Sequence, residues 1–143
     1  MKGFTINTDK SLLDFDTIYG FISDSYWAKG IPTEVMQKAI DNSMCFGVYE
    51  GNKQVGFARI ISDYATFAYL ADVFIIESHQ GLGLSKWLVE AIVNHSELQG
   101  LRRMMLATKD AHGLYQQKGF EPVSFPENLM QIWQPDVYQH QDS

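Results

Sequence analysis

The sequence predicts a mixed α/β domain (α+β) whose central sheet begins with an antiparallel meander and carries helices on both faces. Three observations predict it. Residues 44–76 hold three apolar runs rich in aromatic and β-branched residues, separated by turn residues. The second half alternates helical and strand periods, in the order β-α-β-α-β. Both halves also carry amphipathic helical stretches that need a sheet face to cover. The 143 residues suit one domain, taken as 1–138 with 139–143 as a short tail, and they can build a full core without metals or disulfides. No internal repeat, low-complexity run or linker divides them.

The elements follow in order. "GFTI" at 3–6 reads as a short strand. In "SLLDFDTIYGFISDSYW", Phe15, Ile18, Tyr19, Ile22 and Tyr26 recur at helical spacing. "KGIP" breaks that helix, and "TEVMQKAIDNS" restarts a shorter one with Thr33 as the expected cap after Pro32. In "MCFGVYEGNKQVGFARIISD" two apolar runs flank "EGNK", a hairpin in which Gly51 and Asn52 supply the turn's backbone angles. "ATFAYLADVFII" is the third strand. A helix is expected over 84–97, where Leu84, Trp87, Leu88, Ala91 and Ile92 line one face. "RRMMLAT" reads as a strand and "DAHGLYQQK" as a short helix closed by Gly119. Apolar ends follow near "FEPV" and "LMQIWQ". The second of these is expected as an exposed C-terminal strand able to pair across a homodimer.

Eleven basic against seventeen acidic residues give a net charge of −6, with the basic residues scattered, which is the wrong footprint for nucleic acid. The lone Cys45 excludes an internal disulfide and reads as a packed apolar residue. "MKGFTINTDK" lacks the apolar core of a signal peptide, and no apolar run approaches the roughly eighteen residues that span a bilayer, so a soluble cytoplasmic protein without a membrane partner is expected. His79, His95, His112 and His140 share no metal-ligand spacing, so no metal is expected.

The stretch "ESHQGLGLSKWLVEAI" sets two glycines at the start of a helix directly after an apolar strand, where free backbone N–H groups and the helix dipole favour an anion. Each such interaction contributes only about 0.3–2 kcal/mol, so several must converge on a polyanion. The nucleotide P-loop fails, because Lys86 follows Ser85 without its spacing. The dinucleotide fingerprint fails as well, because lysine stands at position 86 where a small residue is required.

"SHQGLGLSKWL" after a strand, with "LYQQKGF" further on, resembles the GNAT N-acetyltransferase superfamily, whose acyl-CoA loop follows Gln/Arg-x-x-Gly-x-Gly/Ala. Tyr115, Gly119 and Phe120 match its Tyr-x-x-x-Gly-Phe arrangement, and "YWAKG", "DVF", "KWLVEAI" and "ATKDAHGLYQQKGF" look like a group of small bacterial members. The resemblance covers nearly the whole chain. It implies the GNAT fold, acetyl-CoA as cosubstrate and a small-molecule amine as acceptor. It also implies a backbone cradle at Gln80, Gly81, Leu82, Gly83, Leu84 and Ser85, and a strand edge at Val73, Phe74 and Ile75 on which N–H groups of Val73 and Ile75 hold the pantetheine arm. Tyr115 would protonate the thiolate of CoA. Two positions depart from the pattern: the Gln/Arg position is Ser78, leaving His79 or Gln80 as substitutes, and a frequent Asn is Thr108, which keeps a shorter hydrogen-bonding reach to the cofactor.

Acetyl transfer needs a neutral amine. An alkylamine with a pKa near 10.4 must lose its proton at pH 7, at about 4.6 kcal/mol, unless a base removes it. Asp72, in "LADVFII", is the expected base, ahead of Asp63 and Glu77. Alternation along a strand sends Asp72 and Phe74 to one face and Val73 and Ile75 to the other. Tyr26, Trp27 and Tyr69, with Tyr64 and Phe67, are candidate acceptor walls, and Lys86, Arg102, Arg103 and Lys109 are candidate phosphate contacts. A rival expectation is an acyl-CoA sensor that keeps the loop without turnover.

Overall fold

Gly51, at φ 59°, turns β2 (Met44–Glu50) back onto β3 (Lys53–Ser62), as the hairpin reading requires. The next turn is held by a side chain. Asp63 accepts N–H groups of Ala65, Thr66 and Phe67 and the Thr66 hydroxyl, returning the chain into β4 (Phe67–Ile75). β1 (Phe4–Asn7) pairs with β2, and β5 (Arg103–Leu106) pairs in parallel with β4, in the order β1-β2-β3-β4-β5. The computed structural model describes residues 1–140.

α1 (Phe15–Ile22) and α2 (Thr33–Asp41) cover one face of the sheet; α3 (Leu84–Val93) and α4 (His112–Gln116) lie on the other. The strand alternation sorts the two cores. Cys45, Phe57 and Phe74 join Ile18, Ile22 and Met36 beneath α1 and α2, while Phe46, Ala58 and Ile75 join Leu84, Leu88 and Ile92 beneath α3. Cys45 is packed as expected. Its sulfur lies 3.6 Å from the Ile40 carbonyl oxygen, and burial pushes its thiol up to about 11.

Four expected boundaries shift. α1 starts at Phe15 because the Asp14 carboxylate accepts the Thr17 N–H and hydroxyl, and it stops at Ile22, whose carbonyl is taken by the Ser25 hydroxyl at 2.6 Å. Pro32 holds the cap position of α2, so Thr33 is its first helical residue and makes no cap bond. The helix expected over 84–97 ends at Val93 and gives way to a 3-10 turn, Ser96–Leu98, capped by His95. "LMQIWQ" forms no strand, because among the described residues no neighbouring strand accepts it. The chain instead leaves the 3-10 turn Pro126–Asn128 fully exposed and returns at the turn Val137–His140, where Tyr138 packs on the α1–α2 core. Of the expected tail, residues 141–143 lie outside the described residues. No described helix is long and apolar enough to cross a membrane.

Candidate active site

β4 and β5 pair only from Phe67–Leu70 to Arg103–Leu106, while β4 runs on to Ile75, so the two strands part and the far edge of β4 opens. Antiparallel pairing fixes which groups face that opening. The Ile76 N–H bonds the Val55 carbonyl at 2.9 Å, so residues 76 and 74 point their backbone groups toward β3. Val73 and Ile75 therefore point theirs outward, to the open edge. A bulge opposite Ala58 marks where the parting begins, and Asp72 sits in it at φ 56°, a left-handed conformation that aspartate and asparagine adopt more readily than most residues other than glycine.

Below this edge the chain passes a 3-10 turn, Glu77–His79, and enters α3 through Gly81 at φ 85° and Gly83 at φ 84°. Those left-handed angles aim successive N–H groups into one concavity. Among the described residues no backbone carbonyl takes the N–H groups of residues 81–86. They meet a cavity of about 460 Å³ lined by Ile75, Gln80, Gly81, Gly83, Ser85 and Lys86, among others. Unpaired N–H groups at the start of a ten-residue helix fit a pyrophosphate. Ser78 spends its hydroxyl on His79 at 2.7 Å, His79 reaches Glu50 at 2.9 Å, and the Gln80 side-chain amide donates to the Ile75 carbonyl at 2.9 Å. The side chains around the loop thus hold its shape. The groups left free to meet an anion are backbone.

Tyr115 stands at the other end of the opening. It is buried on α4 with its ring edge-on to Phe120, and it borders a cavity of about 600 Å³ shared with Ala71, Asp72 and Val73. Burial, then the neighbouring Tyr26 and Asp110, push its phenol above the ordinary tyrosine value, so it keeps its proton at neutral pH. Thr108 accepts the Ala111 N–H at 3.1 Å and so starts α4 while lining the same cavity. His112 faces a smaller space of about 270 Å³ on the far side of Tyr115.

The third wall is built from side chains. Asp72 accepts the Trp27 indole N–H at 2.8 Å and the Arg59 Nε–H at 2.6 Å, with the carboxylate 7% and the guanidinium 16% exposed. Arg59 also donates to the Ser43 hydroxyl at 3.1 Å. Tyr26 lies edge-on to Trp27 at 5.1 Å, with the Lys109 ammonium 5.4 Å from its ring centre. Tyr26, Trp27 and Tyr69 line the cavity together; Tyr64 and Phe67 stand outside it. Of the other expected carboxylates, Asp63 is engaged in its turn, where bonds from Thr66 above all hold it well below the usual carboxylate range, and Glu77 is exposed. Lys86 borders the cradle, whereas Arg102 and Arg103 border a separate groove beside β5. Sequence reasoning missed Arg59. Its signal was a lone cation inside the apolar run "VGFARII", where burial demands a partner.

Comparison with known proteins bears on this geometry. The model of the acetyltransferase (GNAT) family matches residues 21–120. The Gibberella zeae protein FG08082, an acetyltransferase by name, is 36% identical over 135 residues, covering 78% of this chain and 75% of its own length. A solved Xanthomonas campestris pv. campestris structure assigned to the GNAT family is 52% identical, with a TM-score of 0.93 over 96% of this chain and 98% of that one. A GNAT acetyltransferase from Elizabethkingia anophelis, solved with acetyl-CoA bound, shares the fold at a TM-score of 0.64 and 16% identity, covering 94% and 90% of the two chains.

Proposed function

The chain belongs to the GNAT family of acetyltransferases, and from that premise we propose that it moves the acetyl group of acetyl-CoA directly to a primary amine of a small molecule. The observation that carries the reading is the unpaired β4 edge, which runs between six free N–H groups at one end and a protonated, buried Tyr115 at the other. A pyrophosphate in the cradle and a pantetheine arm along Val73 and Ile75 bring the thioester into the opening, where an outward N–H of that edge polarises its carbonyl. The amine nitrogen attacks the carbonyl carbon from the side of Asp72 and Trp27. The carbon–sulfur bond breaks, and the departing sulfur takes the phenolic proton of Tyr115, which solvent restores. The amine proton leaves by way of water to Asp72, whose carboxylate is held in place by Arg59 and Trp27.

Calorimetric titration with acetyl-CoA, followed by an amine panel read by thiol release, tests the reading. Saturable heat and amine-dependent thiol are expected. Absence of heat at millimolar acetyl-CoA defeats it, and binding without thiol release across a broad panel leaves an acyl-CoA sensor in its place.

A further inference from the structure

The cavity of about 600 Å³ beside Asp72 carries more charge than acetyl transfer to a plain amine uses. Its wall holds two cations, Arg59 and Lys109, and two acids, Asp72 and Asp110, in a chain whose net charge is −6. Arg59 brings five N–H donors and spends two of its nitrogens on the protein, Nε on Asp72 and Nη1 on the Ser43 hydroxyl. Among the described residues nothing bonds Nη2. That nitrogen is not sealed away either, because the Tyr49 hydroxyl is the one buried side-chain polar atom left without a partner among those residues. The N–H groups of Nη2 are therefore open to the cavity that Arg59 lines.

Lys109 is the second cation left over. Its ammonium stands 5.4 Å from the Tyr26 ring centre, and among the described residues it joins no ion pair. On the same wall Tyr26 and Trp27 are 62% and 44% exposed, an aromatic surface that a ligand's apolar body would cover. Asp72 accepts one bond on each oxygen and keeps a second lone pair on each, so it can still take a proton donor. Resting on the acetyl transfer proposed above, we infer that the acceptor is a free α-amino acid with an apolar or aromatic side chain, its carboxylate taken by Arg59 Nη2 and Lys109 and its side chain laid over Tyr26 and Trp27.

The shape of the guanidinium selects the α relation. Nε and Nη2 share one edge of a planar fork, and Asp72 already sits on Nε, so an acid on Nη2 lies next to an amine on the Asp72 side. A ligand that fills both places carries its amine and its carboxylate close together. Charge agrees with shape: a zwitterion turns its ammonium toward Asp72 and Asp110 and its carboxylate toward Arg59 and Lys109, whereas a plain amine leaves both cations unanswered. In the reaction the nitrogen bonds the acetyl carbon and the carbon–sulfur bond breaks. Two protons leave the ammonium; one makes good, through solvent, the proton that Tyr115 gives to sulfur, and the other is released. The products are the N-acetyl amino acid and the thiol of CoA.

Thiol release at saturating acetyl-CoA, with phenylalanine and leucine each set against its amide and its decarboxylated amine, tests the inference. The amino acid is expected to exceed both counterparts about tenfold or more in kcat/KM, the effect of one charge-assisted hydrogen bond. Lys109→Met should lower that advantage about tenfold, chiefly through KM of the amino acid. An amide or a decarboxylated amine that matches its amino acid overturns the inference, as does an advantage that Lys109→Met leaves intact. Thiol release with other amines of the panel but with neither amino acid also overturns it, while acetyl transfer stands. Thiol release with no amine at all removes acetyl transfer itself and this inference with it, so the two failures are told apart.

Discussion

The two ends of the cleft are built from different materials. At the end by α3 the groups left open are backbone N–H groups aimed by two left-handed glycines, and the nearby side chains brace the loop. At the acceptor end the wall is Asp72, Arg59, Trp27 and Tyr26, tied together side chain to side chain. A backbone site depends on angles and tolerates change in its neighbours, Ser78 included. A side-chain site depends on identity, and its chemistry changes with each residue.

That contrast can be broken most forcefully at Gly83. Gly83→Val forces a β-branched residue into φ 84° and re-aims the cradle. Loss of two charge-assisted hydrogen bonds weakens acetyl-CoA binding about 100-fold or more by calorimetry, with the fold retained. Near-normal affinity would mean that the backbone does not hold the anion. Tyr115→Phe is expected to lower kcat about 100-fold and leave acetyl-CoA affinity unchanged. The phenol is pushed up by burial, so the wild-type rate should fall only as pH rises beyond the ordinary tyrosine value of about 10, a limb that the Phe variant lacks. Full turnover in that variant would remove Tyr115 from the reaction.

Asp72→Asn strands the Arg59 charge, and denaturant unfolding should register a loss of about 3 kcal/mol. Its amine-dependent rate should fall at neutral pH; a near-normal rate removes Asp72 as the proton acceptor. The smallest effect sharpens the comparison from the other side. Ser78→Arg adds a cation beside the cradle, expected to contribute ~1 kcal/mol, or about fivefold in acetyl-CoA affinity. A gain of several hundredfold would show that backbone amides alone had been a poor site.

The same contrast explains what could be read from the sequence. The meander was legible because strand alternation and the Gly51 turn are local signals, and the cradle because positive φ has glycine as its signature. The face taken by Asp72 followed from alternation, but its partnership with Arg59 joins residues 13 apart across a bulge, and Trp27 reaches it from 45 residues away. No local pattern encodes such a meeting. Helix ends also moved where single side chains, Asp14 and Ser25, captured backbone groups. The stretch "LMQIWQ" has strand composition and no strand partner, because composition records what a segment can pair with and not whether a neighbour is there.

Cys45 lies sealed beneath α2, its thiol pushed up to about 11. The native protein is therefore expected to stay dark to thiol-reactive dyes at pH 8 and to turn bright on unfolding. The same reagent that counts free CoA during turnover therefore also reports, through a stoichiometric signal from the chain's one sulfhydryl, the fraction of enzyme that has lost its fold.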